Sequence, residues 1–449
     1  MTESPFVDDL DSLLAPFCEA EKPRERFRVG TESEKFGVKA DGSPIQYEGE
    51  DGVRRVLELL AERFGWKPEG EYEGGPLLAL RRDGASITLE PGAQLEISGA
   101  PLVTIHETRA ELETHRREIR EVGQELGIRF LGLGFHPTAR QDQLPWVPKM
   151  RYPVMRDYLP TKGAGAHDMM RRTCTVQANL DFSSEEDALL KLKTALRIQP
   201  IVTAMFANSP YREGTVTGKR SERADVWLHM DPDRSGIPAL AFTGARTYRE
   251  YVEYALDVPM FIVKRGAKIV PATHLTFREF MRDGLGSERA TRADWEMHLA
   301  TLFPEARLKR IIEMRGVDGQ TLPFALASSA LFKGLFYDER SFAQTVALAE
   351  RLGEEELRAA RPWVAQLGLA AMLEGRRMVG WAEELLDLAR AGLERIGALD
   401  AEGRDESIYL APIAELVSQG HCPAEALLAE IPPPGAEGFL EALLDAREF

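Results

Sequence analysis

Apolar and polar positions alternate along this chain with two different periods, and the period changes part-way through. In residues 52–63, 104–126 and 185–204 apolar side chains recur three and four apart, which predicts helices. Between them, residues 28–39, 86–98, 129–135, 173–182 and 311–315 read as strands, several with strict alternation. After Thr321 the helical period takes over, with helices predicted over 342–352, 354–367 and 376–396. Gly397 is placed to end the last of these, and Pro432–Pro434 to separate a final short helix. The expectation is an α+β core over 1–320 followed by a helical C-terminal region over 321–449 packed on it.

The strands carry chemistry in phase. Side chains two apart share a face, so Glu32 and Glu34 fall together on the first strand. Glu90, Gln94 and Glu96 fall together on 86–98, with Leu89, Leu95 and Ile97 opposite. Thr175, Gln177, Asn179 and Asp181 share a face of the next, and Glu313 is in phase with Arg315 on the last. Pro91-Gly92 suits no plain central strand, so a bulge or a close ligand approach is expected there.

If these strands belong to one sheet, several carboxylates crowd one wall. Such a wall is costly unless cations neutralise it. Hard oxygen ligands without convergent Cys or His favour Mg²⁺ or Mn²⁺ over zinc. A metal-bearing wall opposite arginines is the equipment of phosphoryl transfer. Arg151, Arg223 and Arg315 are the candidate clamps for anionic groups. On this reading, replacing Glu90 or Glu313 by Gln relieves repulsion and leaves the metal-free fold nearly intact.

Composition narrows the classes. The 449 residues carry a net charge of −16, which argues against a nucleic-acid surface. No run approaches the length of a membrane span, and no signal or transit pattern opens the sequence, so a cytoplasmic protein is expected. Cys18, Cys174 and Cys422 are scattered singly, which fits a reducing compartment. Residues 214–219 imitate a phosphate-binding glycine loop but are one residue short. The eight histidines show no ligand spacing and read as structural. A nucleotide enzyme here has to hold ATP through metals and a sheet. Its partners are then small molecules, in a monomer or homodimer.

At these residues the chain resembles the plant-type glutamate–cysteine ligases, the third of three families of that enzyme. The resemblance runs through Gly30-Thr31-Glu32-Ser33-Glu34-Lys35-Phe36-Gly37, residues 86–101 (SITLEPGAQLEISGAP), 130–137 (FLGLGFHP) and 169–184 (MMRRTCTVQANLDFSS). It continues through 199–210, 251–260 and 295–319. It implies a fold related to glutamine synthetase, with an antiparallel sheet cradling ATP and Mg²⁺ or Mn²⁺. Glu32, Glu34, Glu90, Glu96 and Glu313 then match metal-site acids. Arg151 and Arg223 match arginines that hold substrate carboxylates or phosphates, and Arg315 one suited to the γ-phosphate. Gln177, Thr175 and Asn179 match pocket-lining positions. The implied reaction is ATP-dependent joining of the glutamate γ-carboxylate to the cysteine amine through γ-glutamyl phosphate, the first step of glutathione biosynthesis. A sister ligase with a different amine acceptor is the alternative. Plant members carry a redox-switched disulfide, whereas residues 106–109 and 284–287 here contain no cysteine, so no such switch and a bacterial member are expected.

Overall fold

Val29–Lys39 (β1) is the spine of a nine-stranded antiparallel sheet in a computed structural model that describes residues 4–244 and 246–449. The other strands are Lys67–Glu69 (β2), Ala79–Arg82 (β3), Ala85–Leu89 (β4), Leu95–Ser98 (β5), Ile128–Leu131 (β6), Thr175–Leu180 (β7), Ala306–Leu308 (β8) and Ile312–Asp318 (β9). Their order is β8-β9-β7-β1-β5-β4-β3-β2, and β6 pairs the far end of β1. The four strands that carry the in-phase acids and amides are therefore consecutive neighbours: β9, β7, β1 and β5.

Alternation explains the layering. Leu89, Leu95, Ile97, Val176, Leu180, Ile312 and Met314 are at most 1% exposed, and helices Glu185–Met205 and Leu322–Tyr337 pack against the sheet. A hydroxyl bond of 2.7 Å joins Thr31 on β1 to Ser329 on the second of these helices. Both helices are apolar around most of their circumference, as a helix enclosed on all sides must be. The acid-bearing face looks the other way.

The expected α+β architecture with an antiparallel cradle is present, and the element boundaries differ from expectation in one instructive place. Residues 86–98 are not one strand. They fold back as the β4–β5 hairpin, with Glu90 N–H bonded to Gln94 O at 2.9 Å and Ala93 at φ 68° in the turn. Cross-strand pairing of Thr88 with Glu96 and Leu89 with Leu95 preserves the parity, so Glu90 and Glu96 still belong to one side. Gly92 is required for a different reason than a ligand. A Cβ there would lie 2.4 Å from the Arg171 carbonyl oxygen, and only glycine lets the two backbones approach so closely.

Among the tail helices, Glu354–Leu367 falls where its period puts it, and Met378–Ile396 ends at Gly397 with φ 64°. Residues 214–219 form the end of a small hairpin, and Lys219 is ion-paired to Glu222 at 2.9 Å and Asp225 at 2.6 Å. No helix among the described residues is long and apolar enough to cross a membrane.

Candidate active site

Register assembles the acid wall. Glu34 on β1 lies opposite Glu96 on β5, Glu32 opposite Gln177 on β7, and Glu313 on β9 opposite Asn179. Short polar bonds fix the outer members. Asn179 Nδ2 donates to Glu32 Oε1 at 2.7 Å, Thr88 Oγ1 to Glu96 Oε2 at 2.7 Å, and the Thr175 amide to Glu34 Oε2 at 2.9 Å. Gln94 does not join this group. Its oxygen accepts from the Gly92 amide at 2.8 Å and its nitrogen donates to Thr173 O at 3.0 Å, so it straps the hairpin turn to the start of β7.

The electrostatics separate the acids into two kinds. Burial, and then the charges of Glu313 and Glu96, raise the Glu32 carboxyl from its ordinary 4.5 to about 8. Burial likewise pushes Glu34 well up, reinforced by Glu96 and Glu90, and Glu96 up, reinforced by Glu90. Glu313 is the opposite case. Burial acts to raise it, but Arg307, Lys309 and Arg315 together outweigh burial and hold it well below the carboxylate range. Arg307 stands 2.6 Å, Lys309 2.9 Å and Arg315 2.8 Å from its oxygens, and Glu313 itself is 1% exposed. The expectation that removing Glu313 relieves repulsion therefore fails, because this acid already answers three cations and its loss leaves them unpaired.

In front of the wall opens a cleft of about 670 Å³. Six of the candidate metal- and substrate-binding residues line it, Glu34, Glu90, Arg151, Thr175, Arg223 and Arg315, and Pro91 and Gln94 of the hairpin turn line it too. Tyr152, Trp227 and Phe303 supply apolar surface beside them. Glu32, Glu96, Gln177, Asn179 and Glu313 stand outside that lining, on or beside the same wall. Arg315 Nη1 is held by Gln177 Oε1 and Glu313 Oε2, each at 2.8 Å. Arg223 Nη2 donates to the Arg315 carbonyl at 2.7 Å. The Thr175 hydroxyl turns to its own sheet, donating to Val317 O at 2.6 Å, and its amide holds Glu34, so Thr175 shapes the cleft by fixing that acid. Buried Tyr152, whose hydroxyl reaches Leu89 O at 3.2 Å, fixes the helix Tyr152–Tyr158 next to which Arg151 sits.

Sequence reasoning passed over Lys149, Arg307, Lys309 and Asp318. Lys149 is 8% exposed, and burial lowers its ammonium while Glu90 and Glu96 pull it back up. Arg307 and Lys309 carried no signal of their own, because only the β8–β9 register sets Arg307 opposite Glu313. The histidines stay structural where bonded: His298 bonds Ala255 O at 2.8 Å, and His106 bonds the Tyr409 hydroxyl at 2.8 Å.

Residues 28–443 match the family model described as "Glutamate-cysteine ligase family 2(GCS2)". The chain belongs to the glutamate–cysteine ligase family. The plant-type resemblance read from the motifs holds. Glutamate–cysteine ligase B, chloroplastic, of Oryza sativa subsp. japonica is 43% identical over 432 residues, covering 95% of this chain and 84% of the rice protein. The chloroplastic glutamate–cysteine ligase of Arabidopsis thaliana is 42% identical over 431 residues, covering 95% and 80%. A crystal structure of the Francisella tularensis glutamate–cysteine ligase in complex with AMP superposes with a TM-score of 0.58 at 13% identity, over 94% of this chain and 87% of that one, which establishes a shared fold.

Proposed function

We propose that this cleft joins the γ-carboxylate of L-glutamate to the amine of L-cysteine with ATP as co-substrate, the first step of glutathione biosynthesis. Family membership supports the reaction. The observation that carries the site is the convergence of Glu34, Glu90, Arg151, Arg223 and Arg315 on one cleft backed by further buried acids.

The donor set fits Mg²⁺ or Mn²⁺. Glu34 and Glu96 are opposed, desolvated and pushed toward the neutral form, a condition that a hard divalent cation relieves. Among the described residues, no three His, Cys, Asp or Glu side chains come together as a ready-made metal cage. Mg²⁺ takes one or two carboxylates and keeps water and phosphate oxygens for the rest. Glu34 with Glu90 or Glu96 would hold it, with Glu32 and Glu313 behind them. When bound, it neutralises charge on the triphosphate oxygens.

The chain's own groups do the remaining work. Arg315, held in place by Gln177 and Glu313, presents its guanidinium to the transferring phosphoryl group. Arg223 and Arg151 hold the anionic ends of substrate in a cleft with apolar flanks, where charge–charge attraction is little screened. The γ-carboxylate of glutamate attacks the γ-phosphorus and ADP leaves. The cysteine amine then attacks the γ-glutamyl phosphate, phosphate departs, and the amine proton is lost to give the amide. No enzyme nucleophile takes part. Cys174 is buried, and desolvation holds its thiol well above the usual range. Three unpaired cysteines suit the cytoplasm as the working compartment.

The test is ATP-dependent phosphate release with glutamate and each candidate amine. Cysteine, or its non-thiol analogue 2-aminobutyrate, should stimulate release far above glycine. Equal release with glycine and cysteine would remove cysteine as the acceptor.

A further inference from the structure

Asp318 closes β9 at the back of the cleft, and its side chain is entirely buried. Its carboxylate collects donors from three directions. Asn208 N–H and Ser209 Oγ bond Oδ2 at 2.8 and 2.7 Å, and Ser221 Oγ bonds Oδ1 at 2.9 Å. The fourth neighbour is Arg223, whose Nη1 stands 3.8 Å from Oδ1. That is the reach of an ion pair and too long for a hydrogen bond, so Asp318 acts on Arg223 through charge.

The same hub fixes where Arg223 starts from. Ser221 caps the helix Glu222–Leu228 by accepting from the Ala224 amide at 2.9 Å, and Ser209 Oγ accepts from the Arg223 amide at 3.2 Å. Both hydroxyls are spent as donors on Asp318. Beside it, Gly134 leaves no room for drift, because a Cβ there would lie 2.4 Å from the Asp318 carboxyl carbon. Arg223 is thus gripped at three points: its amide, one guanidinium nitrogen by the Arg315 carbonyl, and the other by the Asp318 charge.

We infer that Asp318 is the positioning residue for Arg223, a buried charge that aims the guanidinium into the cleft toward the carboxylate or phosphate of a substrate. Asp318 does not line the cleft. The inference rests on the reading of Arg223 as a holder of a substrate anion.

The experiment is a double-mutant cycle on the full chain with steady-state kinetics: Asp318→Asn, Arg223→Ala and the two combined. Asp318→Asn keeps the shape and removes the charge. It should raise the KM for glutamate or for ATP by about tenfold with a smaller change in kcat. In the Arg223→Ala background the same change should have no further effect on that KM, because the group it aims is gone. Additive losses in the double variant, or a fall in kcat at constant KM, would overturn the inference. If Arg223→Ala alone leaves both KM values unchanged, the assignment of Arg223 has failed first and the aiming role goes with it. Should Asp318→Asn not fold, Ser221→Ala frees the Oδ1 oxygen while keeping the charge. It should raise the same KM about threefold in wild type and not at all beside Arg223→Ala. Equal effects in both backgrounds would again refute the inference.

Discussion

Glu34 faces Glu96 across the β1–β5 ladder, and the two carboxylates, the first half-buried and the second buried, accept from the Thr175 amide and the Thr88 hydroxyl. Like charges placed directly opposite are unfavourable even on an exposed sheet. Here burial compounds the repulsion, and the folded chain responds by holding protons. With Glu32 at about 8, the folded state binds more protons than the unfolded chain between the ordinary glutamate value of 4.5 and about 8. A raised folded-state value stabilises below the unfolded value and loses that contribution as pH climbs through the folded one. The metal-free protein should therefore lose stability as pH rises from about 5 to about 8. Thermal unfolding across that window checks it. Glu32→Gln should flatten the slope, and so should added Mg²⁺ or Mn²⁺. A wild-type slope unaffected by Glu32→Gln would contradict the prediction.

Two acid-to-amide changes should part company. Glu34→Gln removes one member of the opposed pair and should leave the metal-free fold as stable as wild type or more so. Glu313→Gln strips the partner from Arg307, Lys309 and Arg315 and should cost about 3 kcal/mol or more. Both should abolish turnover. Urea unfolding of the two variants decides, and equal stabilities would show that Glu313 is not the counter-ion its geometry indicates.

Arg315 is held by two side chains, and the prediction follows from which one is removed. Arg315→Ala should lower kcat by at least about a hundredfold, the usual cost of losing a donor aimed at developing charge. Gln177→Ala removes one of its two tethers and should lower kcat by about tenfold, with unfolding unchanged within about 1 kcal/mol. Phosphate-release kinetics measure both. A Gln177→Ala enzyme with wild-type kcat would mean that Glu313 alone orients the guanidinium.

The sequence was most legible where one residue's direction follows from its neighbour's. Parity on β1 and β7 put Glu32, Glu34 and Gln177 on one face, and the register bears that out. It survived even the misread hairpin, because Thr88 opposite Glu96 keeps even-numbered residues together across the turn. What parity could not give was pairing between strands. Arg307 opposite Glu313 depends on the β8–β9 register, and the three cations around Glu313 reverse the behaviour expected of it. Enclosed helices were hidden for a related reason. Leu322–Tyr337 is apolar on nearly every side and offers no face to read. Asp318 illustrates the remainder: its bond donors Ser209 and Ser221 lie about a hundred residues away along the chain, and only tertiary folding joins them.

In the proposed reaction, acids from distant strands form one metal-bearing wall against a triphosphate. Anomalous scattering from a crystal grown with Mn²⁺, glutamate and a non-hydrolysable ATP analogue tests it most directly. Manganese peaks are expected within bonding reach of Glu34 and at least one of Glu90 and Glu96, with phosphate oxygens between the metal and Arg315. Peaks at other acids, or a bound nucleotide whose phosphates lie away from this cleft, would contradict it.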